Sequence, residues 1–217
     1  MQLKWYGHSC FLLTAADGTR ILTDPCDPEM TGYRLPRIET DIVTISHGHH
    51  DHNYLAAAAG KPAVIDTAGA HEARGISITG VPTWHDDVQG AKRGANLVFT
   101  FEIDGLRVAH LGDLGEIPPD AAFTAIGPVD VLLCPVGGFY TIDAGTAWQV
   151  TERLRPRVIV PMHYKTPVNH FPIAGVDDFL AVSGETPVRR VDGTECELEP
   201  KANDTAYILL LDFAGKE

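Results

Sequence analysis

Three short apolar runs in this chain end abruptly in a histidine or an aspartate. Asp41–Ser46 (DIVTIS) leads into His47, RVAHLG leads into Asp113, and Arg157–Val160 (RVIV) leads through Pro161 and Met162 into His163. Each run is short and rich in β-branched residues, so each reads as a buried strand. Ligands bind beyond the carboxyl ends of strands in α/β sheets. A fold that aligns these runs gathers His47, Asp113 and His163 at one sheet edge.

The rest of the chain supplies partners for such strands. Leu3–Tyr6, Cys10–Thr14 and Arg20–Thr23 read as strands, with an Asp17-Gly18 hairpin turn between the last two. Ala63–Ile65, Ile76–Val81, Val129–Pro135 and Tyr207–Phe213 read as further strands, and NLVFTFEIDGLRVAH as a hairpin turning at Asp104-Gly105. Helices are expected over Tyr54–Ala59, Pro119–Ile126, Ala144–Leu154 and Val176–Val182. No linker, repeat or low-complexity stretch interrupts the pattern. The expectation is one α/β domain over 1–217, with two sheets packed together and helices outside.

A chain of 217 residues can bury a substantial core. Its 29 acidic and 17 basic side chains give a net charge of −12, which argues against a general nucleic-acid or anionic-membrane binder. The N-terminal stretch does not read as a signal peptide and no segment has membrane-spanning length, so a cytoplasmic protein without membrane insertion is expected. Cys10, Cys26, Cys134 and Cys196 form no CxxC pair and read as reduced thiols. The expected partner is a small-molecule substrate; a homo-oligomer is compatible with everything above.

The segment Ser46–Asn53 (SHGHHDHN) crowds four histidines around an aspartate. In an extended segment alternate side chains share a side, so His47, His49 and Asp51 face one point and His52, after a bend, a neighbouring one. Neutral imidazole and carboxylate are good ligands for zinc and similar divalent ions. A bound cation also removes the repulsion between crowded imidazoles by keeping them neutral. The bland alternative is a histidine-rich surface loop.

His47-x-His49-x-Asp51-His52 resembles the HxHxDH motif of the metallo-β-lactamase superfamily. The other signatures follow in order: Asp24 in ILTDP, His85 in PTWHD, Asp113 in HLGD and His163 in VPMHY. GHSC, HLGDLG and PMHYKT look most like the branch related to L-ascorbate-6-phosphate lactonase and N-acyl-phosphatidylethanolamine phospholipase D. The resemblance implies a four-layer αββα sandwich. It implies one metal on His47, His49 and His85, a second on Asp51, His52 and His163, and Asp113 bridging them. It implies two divalent ions, with zinc foremost and manganese or iron compatible with the same donors. A hydroxide between the ions would be the nucleophile, with Asp51 orienting it, acting on a small ester, lactone or phosphoester. The alternatives are a phosphodiesterase acting on a nucleotide or lipid head group, and a metal-binding protein without turnover. His49 stands where flavodiiron proteins usually carry a glutamate, which argues against redox chemistry.

Further residues carry weaker expectations. By resemblance, Asp24 sits behind the histidine loop and accepts hydrogen bonds from it. Asp86 follows His85 and is placed to orient a ligand. His110, three residues before Asp113, is expected on the opposite face as a buried hydrogen-bonder, and as the substitute ligand should His85 not bind. His50 is expected to point away in a packing or ligand-supporting role, His8 to be a structural hydrogen-bonder, with an approach to the site as the alternative, and His71 and His170 to lie at the surface. Segment 86–94 reads either as a loop over the site, with Lys92 or Arg93 gripping a substrate anion, or as a solvated hairpin loop. Tyr140 and Lys165 are the other candidates for touching substrate, with Tyr164 of similar standing.

Overall fold

The alternating apolar positions near the N-terminus fold as they read. In the computed structural model, which describes residues 1–199 and 204–214, Gln2–Gly7, Cys10–Thr14 and Arg20–Thr23 form an antiparallel meander. Ile42–Thr44 and Ala63–Ile65 then add in parallel, and Glu195–Glu197 closes the opposite edge of this six-stranded sheet. The second sheet has eight strands. At its centre is the hairpin Ala95–Ile103 and Leu106–His110, whose turn residues Asp104 and Gly105 both have positive φ. Ile76–Trp84 and Gly69–Ala73 extend it on one side. Val131–Pro135, Val158–Met162, Tyr207–Leu210 and Val188–Arg190 extend it in parallel on the other.

The two sheets contribute to one core. Trp5, Phe11, Leu13 and Ile21 from the first and Phe99, Phe101, Val108 and Leu132 from the second belong to a single buried apolar cluster. Each such side chain contributes about 1.5–3 kcal/mol when fully buried. Val131–Pro135 and Val158–Met162 are buried at every position, as parallel strands covered on both faces must be. Helix Asp120–Ile126 packs on Ile76–Trp84 and Ala95–Ile103, and Ala144–Leu154 packs on Val131–Pro135. The second of these starts where Asp143 accepts the Thr146 N–H at 2.8 Å, and stops at Arg155 before Pro156. Val176–Val182 leans on it through Phe179 and Trp148. The α/β sandwich expected from the sequence is therefore present. Among the described residues no helix is long and apolar enough to cross a membrane.

One local expectation fails, and one strand goes unanticipated, for physical reasons. Tyr54–Ala59 is no α-helix: Leu55–Ala57 make one 3-10 turn, and Ala58–Ala59 pair in parallel with Ile38–Glu39. The alanines favour helix, but the Tyr54 N–H is bound by Pro25 O at 2.8 Å and the six-residue span is too short to propagate. The strand Gly69–Ala73 was hidden in the sequence because GAHEA has poor β-propensity. Its pairing rests on an Arg74-Gly75 turn with positive φ at both residues.

Strand direction decides what reaches the functional edge. Gln2–Gly7 is two antiparallel steps from Arg20–Thr23, which is parallel to Ile42–Thr44. All three therefore end together and deliver His8, Asp24 and, two residues beyond Thr44, the turn into His47. In the second sheet Ile76–Trp84 is two antiparallel steps from Leu106–His110, and Val158–Met162 is parallel to the latter. These deliver His85, Asp113 and His163.

Candidate metal centre

Asp24 organises the first half of the centre. It is fully buried in a left-handed turn, and its Oδ1 accepts the Ser46 N–H at 2.8 Å. Its Oδ2 contacts Ser46 Oγ at 2.5 Å and His52 Nδ1 at 2.9 Å. An ionised carboxylate has no proton to give, so Ser46 Oγ and His52 Nδ1 both donate to it. Its carboxyl is held below the usual range: burial opposes this, and His110 and His52 outweigh burial. With its proton directed to Asp24, Ser46 Oγ is left to accept from His47 Nδ1, 2.9 Å away. When neutral, both histidines are thus fixed in the tautomer that leaves Nε2 bare.

Those bare atoms converge. Nε2 of His47 and of His52 and Oδ1 of Asp113 are buried and make no hydrogen bond. Asp113 lies among the imidazoles, with Oδ1 3.1 Å from His52 Nε2 and Oδ2 3.4, 3.3 and 3.9 Å from Nε2 of His85, His163 and His47. Its carboxyl sits well below the usual range, because His163 and His52 overcome the opposing effect of burial. Burial pushes the His47 imidazole down to about 3, with His52 adding to it, whereas Asp113 and Asp24 raise His52 against its own burial. Lone pairs aimed at one another in a buried space repel, and a divalent cation between them resolves this. The donor set therefore fits metal ions.

Two groups of donors can be separated. His47, His49 and His85 offer atoms within 4.8 Å of one another, and so do His8, Asp51, His52 and His163. A third combination, Asp24 with His47 and His52, also satisfies that distance. The Asp24 oxygens are already engaged by Ser46 and His52, so we read it as their support. The sequence reads His8 as a structural hydrogen-bonder, with an approach to the site as the alternative, and does not count it among the donors. It is fully buried, its Nε2 is 3.2 Å from Asp51 Oδ2, and its ring is 4.0 Å from that of His163. Hairpin parity from Gln2–Gly7 was the available signal.

Glycines let the loops approach this closely. Gly112 has φ +57, and a Cβ there would lie 2.4 Å from Asn96 Oδ1 and 2.6 Å from Ser46 Cβ. The same Asn96 Oδ1 accepts the Asp113 N–H at 2.9 Å, which fixes where Asp113 leaves its strand.

The remaining predicted residues fall in different places. His110 directs both nitrogens elsewhere: Nε2 donates to Ser9 O at 2.8 Å and Nδ1 accepts from Gly112 N at 3.1 Å. It is not a substitute ligand, because its nitrogens are already satisfied. Asp86 orients no histidine; its carboxylate accepts the backbone N–H groups of Val88, Gly90, Lys92 and Arg93 at 2.7–3.0 Å. Burial, the largest single effect, pushes its carboxyl up, but those bonds together outweigh it and hold it down at about 2, and they shape segment 86–94 into a loop beside the site. That loop presents Arg93 to a cavity of about 480 Å³, lined also by His49, His85, Asp51, Asp113 and Tyr140, with Met30 and Phe171 as apolar walls. His50 is exposed at the rim of this cavity and belongs to neither donor group. Lys165 is corrected: its Nζ donates to Phe171 O at 2.8 Å and it does not line the cavity. Its role is to brace a wall residue.

This arrangement has known counterparts. A model of the β-lactamase superfamily domain matches residues 2–163. A UPF0173 metal-dependent hydrolase of Methanoregula boonei is 31% identical over 189 residues, covering 76% of this chain and 83% of its own. A Thermotoga maritima crystal structure of the metallo-β-lactamase superfamily, described as that of a candidate zinc-dependent hydrolase, superposes with a TM-score of 0.81. It is 40% identical and covers 97% of this chain and 98% of its own. Igni18, a metallo hydrolase of Ignicoccus hospitalis, superposes with a TM-score of 0.59 at 26% identity, over 83% and 89% of the two chains. The buried histidine and aspartate donors at a shared strand edge, together with these matches, identify the chain as a member of the metallo-β-lactamase superfamily, among its metal-dependent hydrolases.

Proposed function

We propose that the chain hydrolyses a small ester, lactone or phosphoester with two divalent ions, zinc foremost. His47, His49 and His85 would hold one and Asp51, His52 and His163 the other, with Asp113 between them. The observation that carries a two-ion reading is Asp113 itself, whose two oxygens reach histidines of both groups. Ions so placed polarise a substrate oxygen and lower the pKa of water.

The chain's own groups position the reactants. Asp51 faces the cavity and stays ionised, since the His8 and His52 rings beside it overcome its partial burial. It is suited to accept a hydrogen bond from an attacking water and so fix its orientation. Arg93 and Tyr140 offer donors to an anionic or carbonyl oxygen, and Arg93 is held over the Tyr140 ring by its bond to Phe139 O at 3.0 Å. Met30 and Phe171 favour an apolar substituent on the substrate. The guanidinium at the rim also supports the second reading, a phosphodiesterase.

The test is a substrate panel: p-nitrophenyl esters, simple lactones and bis-p-nitrophenyl phosphate, before and after stripping with a chelator and re-adding zinc or manganese. Metal-dependent turnover on the esters or lactones supports the first reading, and on the phosphate diester the second. A folded, metal-loaded protein inert on the whole panel would favour metal binding without turnover.

A further inference from the structure

His8 shares three traits with His85 and His163. All three are buried, at 0%, 2% and 1% exposure. Each directs Nε2 at a carboxylate oxygen of the centre, at 3.2 Å for His8 and Asp51, and 3.4 and 3.3 Å for His85 and His163 with Asp113. Each leaves Nδ1 buried without a hydrogen-bond partner. A histidine kept only for its hydrogen bonds looks different: His110, equally buried, satisfies both nitrogens. His8 is also held in a left-handed conformation, φ +52, against His163, which shares that φ and whose N–H donates to His8 O. Such strain persists where the surroundings enforce it, which is common at functional sites. The backbone is fastened a second time by Trp5 Nε1, which donates to the same carbonyl at 3.1 Å.

The two donor groups also differ in access. Of the first group His49 and His85 line the 480 Å³ cavity; of the second Asp51 reaches it, whereas its three imidazoles, His8, His52 and His163, do not. Structural metal sites are closed by four protein donors, whereas catalytic sites keep a position open. We propose that His8 is a further protein donor, beside the shared Asp113, to the ion held by Asp51, His52 and His163, so that this site has one donor more than the His47–His49–His85 site and is the closed, tighter one, while the latter is the open, weaker one. This rests on the two-ion reading above and adds to it an unequal division of labour.

The test is zinc titration of chelator-stripped protein in competition with a chromophoric chelator, on wild type, His8→Asn and His49→Gln. Asparagine tolerates the left-handed backbone at position 8. Wild type should take up zinc in two unequal steps. His8→Asn should weaken the tighter step about tenfold or more and leave the weaker one unchanged; His49→Gln should do the reverse. X-ray absorption on His49→Gln with one equivalent of zinc leaves position 8 untouched and counts imidazoles directly: three are expected. A count of two would reduce His8 to a hydrogen-bonding partner of Asp51 and overturn the proposal, even if His8→Asn binds weakly. Unchanged affinities in His8→Asn would overturn it while sparing the two-ion reading. A wild-type protein that takes up no zinc would instead sink the two-ion reading for zinc, and this proposal with it.

Discussion

Asp24→Asn disturbs the two protons that Ser46 Oγ and His52 Nδ1 direct at Asp24 Oδ2. The substitution keeps shape, and Asn Oδ1 can still accept the Ser46 N–H. In place of Oδ2 it puts an NH₂ group opposite His52 Nδ1, where the contact is now 2.9 Å. Two donors cannot share that distance. His52 must either swing away or move its proton to Nε2, the atom that faces Asp113 at 3.1 Å. Both outcomes remove it as a metal donor. The bond lost is charge-assisted and buried, worth about 1.5–3 kcal/mol. At 1.4 kcal/mol per factor of ten, metal affinity should fall about 10–100-fold. Chelator competition reads the affinity, and circular dichroism verifies that the variant folds. Wild-type affinity in a folded Asp24→Asn protein would refute the tautomer argument and leave Asp24 as a turn residue before Pro25.

Four further outcomes are expected. Asp113→Ala should reduce bound metal, measured by elemental analysis, far more than His50→Ala, because Asp113 reaches histidines of both groups and His50 is exposed; equal losses would contradict the assignment of faces. Gly112→Ala should destabilise by about 1–3 kcal/mol in urea unfolding, since its Cβ would overlap Asn96 and Ser46; an unchanged midpoint would show that the loop can shift. Metal-free protein should lose stability as pH falls below about 6.5, because His8, His47, His85 and His110 resist protonation when folded but not when unfolded. His8 alone, held down to about 4 by burial, accounts for about 2 kcal/mol at pH 5, while among these buried histidines His52 works in the opposite direction, stabilising at low pH; a metal-free protein more stable at pH 5 than at pH 7 would reverse this balance. Asp86→Ala should leave the fold intact, speed amide exchange over 88–93 and raise KM for anionic more than for neutral substrates; equal effects on both would separate Arg93 from substrate charge.

What the sequence revealed depended on whether local pattern or pairing decided the outcome. Cys10–Thr14, Arg20–Thr23, Ala144–Leu154 and Val176–Val182 have the predicted bounds, because apolar spacing and a Gly, Pro or Asp at the ends define them locally. Gly69–Ala73 and Glu195–Glu197 were invisible, because edge strands with exposed, polar residues exist only through their neighbours. His47, His49, Asp51 and His52 announced themselves by proximity in sequence. Asp86 did not reveal its role, since a carboxylate that binds four backbone N–H groups of its own loop looks, in sequence, like one that orients the preceding histidine.

The case of His8 shows where such reading can be extended. The histidine of the GHSC turn is given no metal role by the resemblance, yet its strand is followed by two hairpin reversals before the strand that delivers Asp24. Two reversals restore direction, so the end of the first strand must lie at the same sheet edge as Asp24. Gly7, at φ +111, packs under the Tyr33 ring so closely that a Cβ would lie 2.1 Å from it, which leaves the next residue little freedom but to turn inward. Direction then brings His8 to the edge, and packing against Tyr33 and His163 buries it there. A buried imidazole at an edge already crowded with donors is costly unless something neutralises the cluster. A cation in the proposed Asp51–His52–His163 site would account for a histidine at position 8 in the same way as for the crowding in His47–His52.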